Sequence, residues 1–194
     1  MRIVTLMEDT ACAPAFVCEH GLSFYIEANG KKLLFDMGQT DLFLRNAKRL
    51  GVRLDEVDTA FVSHGHYDHG GGLTAFLEVN RRAPVYLHKQ AFEPHFSRKP
   101  DGIKPIGLDA ALAESGRLVL TDGVTEIDDT LTLFADVTGQ DCYPSGNRTL
   151  FEQENGAYVP DRFAHEQSLI VREGDNIALF TGCAHRGVVN ICAR

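Results

Sequence analysis

The stretch Ser63-His64-Gly65-His66-Tyr67-Asp68-His69-Gly70 decides how this chain is read. His64, His66, Asp68 and His69 are all potential metal ligands, and they fall within six residues of one another. The two-residue spacing of His64 and His66 puts both imidazoles on one side of an extended backbone, leaving Asp68 and His69 to face elsewhere. Glycines at 65, 70, 71 and 72 let the chain turn tightly around a bound ion. Neutral imidazole with carboxylate suits zinc, iron or manganese. A polar loop with histidines clustered by chance would not also follow an apolar strand and precede a glycine run.

Thr59 to Val62, just before the loop, reads as a buried strand, and Leu73 to Val79, just after it, as a short helix. Towards the N-terminus, Arg2 to Met7, Leu22 to Ala28 and Leu33 to Phe35 read as strands, the last two joined by the hairpin signal Asn29-Gly30. Thr40 is placed to cap a helix through Leu42, Phe43, Ala47 and Leu50 that Gly51 ends. Further on, Pro84 to His88, Leu118 to Leu120 and Leu131 to Ala135 are strands, and Gly139 to Asn147 is a long polar loop. Ser168 to Val171 and Ile177 to Thr181 form a hairpin turned at Gly174-Asp175-Asn176. Strands outnumber helices, and the helices fall between strand groups, which predicts a layered α/β arrangement rather than a doubly wound parallel sheet.

A chain of 194 residues, 44% of them hydrophobic, suits a single domain over 1–194. With a net charge of −8 and no Lys/Arg cluster it lacks the basic face of a nucleic-acid binder. Five cysteines without a Cys-x-x-Cys pair exclude a disulfide framework and a zinc ribbon. No segment approaches the run of about 20 apolar residues that a membrane-spanning helix needs. The expectation is a cytoplasmic protein with a small-molecule substrate and neither a nucleic-acid nor a membrane partner.

The histidine-rich stretch resembles the His-x-His-x-Asp-His signature of the metallo-β-lactamase superfamily. Glu19-His20-Gly21-Leu22-Ser23-Phe24, Leu34-Phe35-Asp36-Met37-Gly38, His165-Glu166-Gln167-Ser168-Leu169 and Thr181-Gly182-Cys183-Ala184-His185-Arg186-Gly187 extend the likeness over nearly the whole chain. They are similar to the branch of dihydropterin-ribofuranosyl-aminobenzene phosphate synthase-type proteins. The resemblance implies an αββα sandwich binding one or two divalent metal ions, zinc first and iron or manganese next. It implies that His64, His66 and His165 bind the first metal, that Asp68 and His69 bind the second, and that Asp36 orients a ligand histidine from behind. It also implies that the loop from Gly139 to Asn147, with Arg148, lines the cleft.

Two departures from the family pattern stand out. Cys183 occupies a position where many members carry a bridging aspartate. Its thiolate is a competent zinc ligand, but burial as a small residue is the favoured reading, with His185 two positions on able to serve instead. Members also run on for further elements that supply a last histidine, so the expectation is a sandwich lacking its C-terminal elements, with an uncovered sheet edge or face that invites homo-oligomers. Of the remaining histidines, His88 reads as half-buried at a strand end, His95 as a surface residue in a charged loop, and His20 as structural.

The function expected is hydrolysis of an ester, lactone or phosphoester by water that the metal acidifies, with Asp68 as the catalytic carboxylate. No Gly-x-Ser-x-Gly elbow offers a serine nucleophile instead. The alternatives are a transferase or synthase acting on a pterin or phosphoribosyl compound, iron redox chemistry, which His66 disfavours because relatives of that kind carry a carboxylate there, and a metal-binding module without catalysis.

Overall fold

The computed structural model describes residues 1–194. Its strands are β1 (Arg2–Met7), β2 (Ser23–Ala28), β3 (Lys31–Phe35), β4 (Thr59–Phe61), β5 (Val85–His88), β6 (His95–Lys99) and β7 (Gly102–Pro105). They continue with β8 (Leu118–Thr121), β9 (Val124–Asp128), β10 (Leu131–Phe134), β11 (Leu150–Glu154), β12 (Ala157–Pro160), β13 (Ser168–Glu173) and β14 (Asn176–Phe180). The helices are α1 (Leu42–Arg49), α2 (Tyr67–Gly70), α3 (Leu73–Val79) and α4 (Val188–Ala193).

The first sheet has six strands in the order β1-β2-β3-β4-β5-β8. The β1-β2-β3 end is antiparallel, and β3 through β8 pair in parallel. Asn29 (φ 52°) and Gly30 (φ 72°) make the left-handed turn between β2 and β3, which matches the twist of the strands it joins. Alternation then sorts the side chains of this sheet. Tyr25, Leu34, Ala60, Val62, Val85 and Leu87 face a core shared with Phe43 and Ala47 of α1 and Leu73 and Phe76 of α3. Ile26, Ala28, Leu33, Phe35 and Phe61 face the other way, against Leu131, Leu133, Leu169, Val171 and Phe180.

Those last residues belong to the second sheet, four strands in the order β14-β13-β10-β9. On its outer face Ile191 of α4 packs with Phe134 and Val137. The layers are therefore helix, sheet, sheet, helix, which is an αββα sandwich. Elsewhere Val124 on β9 and Ile177 on β14 stand 55% and 69% exposed. No helix is long and apolar enough to cross a membrane.

A third sheet, β12-β11-β6-β7, lies beside the sandwich, and its strands are not among those expected from the sequence. Their sequences, such as His95-Phe96-Ser97-Arg98-Lys99 and Leu150-Phe151-Glu152-Gln153-Glu154, carry few apolar residues because much of this sheet faces solvent. β9 was missed for the same reason, having charge at Glu126 and Asp128. The α1 helix starts as expected: the Thr40 hydroxyl accepts from the Leu42 amide at 3.2 Å, although Asp41 is the residue at the cap itself. Ile106 and Gly107, just after β7, bond to Tyr67 and His66, tying the third sheet to the histidine-rich loop.

Candidate metal centre

The loop after β4 leaves the end of the first sheet and is clamped at once. Asp36, fully buried at the end of β3, accepts hydrogen bonds from the Ser63 amide (2.7 Å) and the Ser63 hydroxyl (2.7 Å), and binds His69 Nδ1 (2.6 Å). Gly71 lets the next turn pass close to its neighbours, since a Cβ there would lie 2.2 Å from the Gln39 carbonyl oxygen.

These contacts decide which nitrogen each ring presents. The Ser63 hydroxyl gives its hydrogen to Asp36, so its oxygen accepts from His64 Nδ1–H at 2.9 Å. His69 likewise places Nδ1–H on Asp36. At His185, Nδ1 lies 2.9 Å from Asn147 Oδ1. The Asn147 amide nitrogen donates to the His185 carbonyl at 2.7 Å, so its orientation is fixed and His185 Nδ1 must be the donor. All three rings therefore turn Nε2 toward a common space. This is the outer hydrogen bonding that metal-ligating histidines use to hold tautomer and direction.

Two overlapping groups of candidate ligands line this space. His64, His185 and Cys183 offer ligand atoms within 4.8 Å of one another, as do Asp68, His69 and Cys183. The Cys183 sulfur is common to both groups and lies 3.2 Å from His69 Nε2. The ring centroids of His64, His66 and His185 form a triangle with sides of 4.6, 5.0 and 5.0 Å. The Nε2 atoms of His64, His66 and His185 are buried without a hydrogen-bond partner. An apolar core would not leave such atoms unpaired, so the donor set fits a divalent cation.

Electrostatics agrees. Burial holds His64 well below the usual imidazole range. Burial, reinforced by His66 and His165, pushes His185 down to about 2. Both rings are neutral, as ligands must be. Burial also presses on His69, but the Asp36 carboxylate outweighs it and holds the ring well above its ordinary value, so a metal has to displace a proton there. Glu166, pushed up to about 7 by burial, accepts from the His185 amide (2.7 Å) and the Arg186 amide (2.8 Å), anchoring the loop that carries Cys183. Phe163 stacks on His185 at 4.4 Å and 7°. Asp36, Phe163 and Ala184 hold left-handed backbone at φ 59°, 54° and 52°.

The structure brings His64, His66, Asp68, His69, Cys183 and His185 together, with Asp36 behind His69. His165 lies beside them, its ring centroid 5.2 Å from that of His66 and 5.9 Å from that of His64. Its Nδ1 accepts from the Gly65 amide at 2.8 Å, so the neutral ring carries its proton on Nε2, which faces Asp161 at 3.4 Å. Three readings need correction. His95 is 2% exposed rather than on the surface, because β6 pairs it into the third sheet with Nδ1 on Asp161 at 3.1 Å. His88, expected half-buried, is also 2% exposed. Cys183 is exposed at the mouth of the cleft rather than buried, because its sulfur turns toward His69 and not into a core. Asp161 was not anticipated; its one sequence signal is its position four residues before His165. His20, read as structural, extends to the cleft with Nε2 3.5 Å from Asp68 Oδ2 and Nδ1 3.1 Å from Asp9.

The Metallo-beta-lactamase superfamily model matches residues 17–187. The chain is 29% identical over 206 residues to the 7,8-dihydropterin-6-methyl-4-(beta-D-ribofuranosyl)-aminobenzene-5'-phosphate synthase of Methanocaldococcus jannaschii, a match that covers 98% of this chain and 70% of that protein. It is similar, at 32% identity and a TM-score of 0.80, to the crystal structure of a metal-dependent hydrolase of the beta-lactamase superfamily, covering 98% of this chain and 69% of the other. An N-acyl homoserine lactone lactonase shares the fold at 16% identity and a TM-score of 0.52, over 81% of this chain and 58% of its own. The signature loop, the sandwich that carries it and the family match agree: the chain belongs to the metallo-beta-lactamase superfamily.

Proposed function

We propose that this chain is a metal-dependent hydrolase of a small ester, lactone or phosphoester. The observation that carries the reading is the convergence of His64, His185, Asp68 and His69 around the Cys183 sulfur at the mouth of one cleft. His64, His185 and Cys183 would hold one cation, and Asp68, His69 and Cys183 the other. When bound, such cations act as Lewis acids that acidify water and polarise a carbonyl or phosphoryl oxygen.

The chain's own residues handle the proton. Asp68 keeps 11% of its side chain exposed, with Oδ2 3.5 Å from His69 Nε2 and 3.5 Å from His20 Nε2. It is placed to take a proton from attacking water at Oδ2. Asp9 receives Nδ1–H of His20, which leaves His20 Nε2 free to accept that proton, and the 68% exposed His20 side chain hands it to solvent. The cleft has a volume of about 130 Å³, and Tyr67, Ser97, Lys99 and Leu150 are among the residues that line it. Only the reacting end of a substrate fits, and Lys99 favours one bearing negative charge.

Stripped protein reloaded with zinc or manganese should hydrolyse members of a phosphoester and lactone panel, and Asp68→Asn should abolish that turnover while leaving the fold intact. Full turnover by Asp68→Asn at saturating metal removes Asp68 from the mechanism. A second reading, synthase or transferase chemistry on a pterin or phosphoribosyl compound, has the synthase relative in its favour. Consumption of such a compound by a metal-loaded protein that leaves the whole panel untouched would replace the first reading with this one.

A further inference from the structure

One wall of the cleft is built by β6. The strand begins beside the signature loop, where the ring of His95 lies 5.6 Å from that of His66. Alternation then sorts its side chains onto two faces. Phe96 and Arg98 take the far face, where Phe96 stands edge-on to Tyr158 at 4.8 Å and Arg98 lies 4.8 Å over the ring of Phe151. His95, Ser97 and Lys99 take the near face. Ser97 and Lys99 line the same cavity as His66, Asp68, Cys183 and His185.

Lys99 is the only lysine or arginine in that lining. Lys31, Lys32, Lys89 and Lys104 each have a carboxylate partner, and Lys99 has none. Two arginines of the neighbouring segments are committed elsewhere: Arg162 pairs with Glu152 and Glu154, and Arg186 donates to the carbonyl oxygens of Val137 and Arg162. Ser97 is 5% exposed. Its backbone is taken up in the pairing with Leu150 and Lys104, and its hydroxyl bonds to no group of the chain. Leu150 and Ile106 complete the wall with apolar surface, beside which a charged hydrogen bond is stronger than in open water. An ammonium and a buried hydroxyl, both without partners and on one face of one strand, form a donor pair for anionic oxygen.

We propose that Lys99 and Ser97 hold the non-bridging oxygens of a phosphoryl group, so that the substrate is a phosphoester and not a neutral ester or lactone. The cavity of about 130 Å³ gathers these donors and the metal-ligand set around one space. An anion held by Lys99 and the atom under attack must share that space, and a phosphoryl group supplies both in one unit. A neutral carbonyl group would leave Lys99 without a counter-charge. Asp68 is the one carboxylate in the lining, and its Oδ2 lies 3.5 Å from His69 Nε2 and 3.5 Å from His20 Nε2. In the reaction the water oxygen bonds to phosphorus and gives one proton to Asp68. The ester P–O bond breaks, and the leaving oxygen keeps the bonding pair and takes a proton from solvent. Lys99 and Ser97 make and break no covalent bond; they orient the phosphoryl group for attack. The fate of that group rests on the hydrolase reading above, whereas its binding does not.

The test separates binding from turnover. Zinc-loaded protein is titrated with phenylphosphonate, which carries phosphoryl oxygens but no ester bond, and binding is followed by calorimetry at low and high salt. Turnover of p-nitrophenyl phosphate and of p-nitrophenyl acetate is measured beside it. Lys99→Gln should weaken phenylphosphonate binding about tenfold and flatten its salt dependence. Lys99→Arg should recover most of that loss, and Ser97→Ala should weaken binding about threefold. In Lys99→Gln the KM for the phosphate ester should rise more than its kcat falls, and the ratio of kcat/KM for the phosphate ester to that for the acetate should fall about tenfold. Lys99 is exposed, so its variants are expected to fold, which circular dichroism checks. The proposal is overturned if Lys99→Gln binds phenylphosphonate as tightly as wild type, or if it loses kcat/KM equally for the two esters. Lys99-dependent binding of phenylphosphonate by a protein that turns over neither ester would remove the hydrolase reading and leave this subsite standing.

Discussion

Replacing Asp36 by asparagine should reverse the direction of two ligand histidines without changing the volume of a side chain. The asparagine oxygen can still accept from the Ser63 amide, and asparagine tolerates the φ of 59° found at this position. Its amide nitrogen, however, would now face the Ser63 hydroxyl and His69 Nδ1, both 2.6–2.7 Å from Asp36 Oδ2. Two donors cannot bond through one line, so His69 must accept at Nδ1 and carry its proton on Nε2. Ser63, receiving a hydrogen from the amide, turns its own hydrogen toward His64 Nδ1, which moves the His64 proton to Nε2 as well. Both metal-facing nitrogens become donors. Loss of such an orienting partner lowers metal affinity by roughly 10- to 100-fold, or about 1.4–2.7 kcal/mol for each cation. His69 should also lose its raised pKa, because burial then acts without the opposing carboxylate. Competition with a chromophoric zinc chelator reads the affinity, and imidazole nitrogen NMR of the stripped protein reads the tautomers. Wild-type zinc affinity together with an unchanged nitrogen pattern would refute the reasoning.

Asn147→Ala removes the acceptor that holds His185 Nδ1–H and the donor to its carbonyl, and should weaken metal binding by roughly tenfold or more, as measured by the same competition. Gly71→Ala sets a Cβ 2.2 Å from the Gln39 carbonyl oxygen and 2.4 Å from that of Tyr67, so urea denaturation should show a loss of about 3 kcal/mol; a loss under 1 kcal/mol would mean that the turn yields. Acid should destabilise the stripped protein. Burial lowers His165 to about 3 and His185 to about 2, so below the unfolded value near 6.5 the unfolded chain binds protons that the folded chain refuses. Each of these two histidines then contributes a loss of about 2 kcal/mol by pH 5. His69 and Glu166 run the other way and offset part of it: both have raised folded pKa values, and Glu166, held near 7 by burial, takes up a proton in this range that the unfolded chain refuses, a gain of about 2 kcal/mol. Melting temperatures of chelated protein that do not fall between pH 7 and pH 5 would contradict this.

The signature loop, the strand before it and the helix after it were legible because each is a local pattern: ligand spacing, an apolar run and an amphipathic stretch. Asp36 was legible as a partner only through the family likeness, since 27 residues separate it from Ser63. His95 and Asp161 were not. The two residues are 66 apart in the chain, their meeting depends on β6 and β11 pairing inside the third sheet, and charged half-exposed strands leave little periodicity to read. Cys183 was misjudged because cysteine composition argues for burial, whereas the direction of its sulfur is set by the turn between β14 and α4. The grouping of His165 with His64 and His66 came from the family likeness, and the sequence alone does not show that its Nδ1 accepts from the Gly65 amide.

Asp36, Phe163 and Ala184, with their left-handed backbones, carry a tension that substitution can release. A side-chain-bearing residue held this way gives up about 1–2 kcal/mol relative to the right-handed form, and Ala184 does so directly between Cys183 and His185. Glycine at 184 would remove the steric term and would be an obvious choice for anyone raising thermal stability. The same change would widen the range of loop conformations in the metal-free chain, and the sulfur and the imidazole would then have to be gathered at the moment of binding. At this one position, selection for heat resistance and selection for metal retention pull in opposite directions.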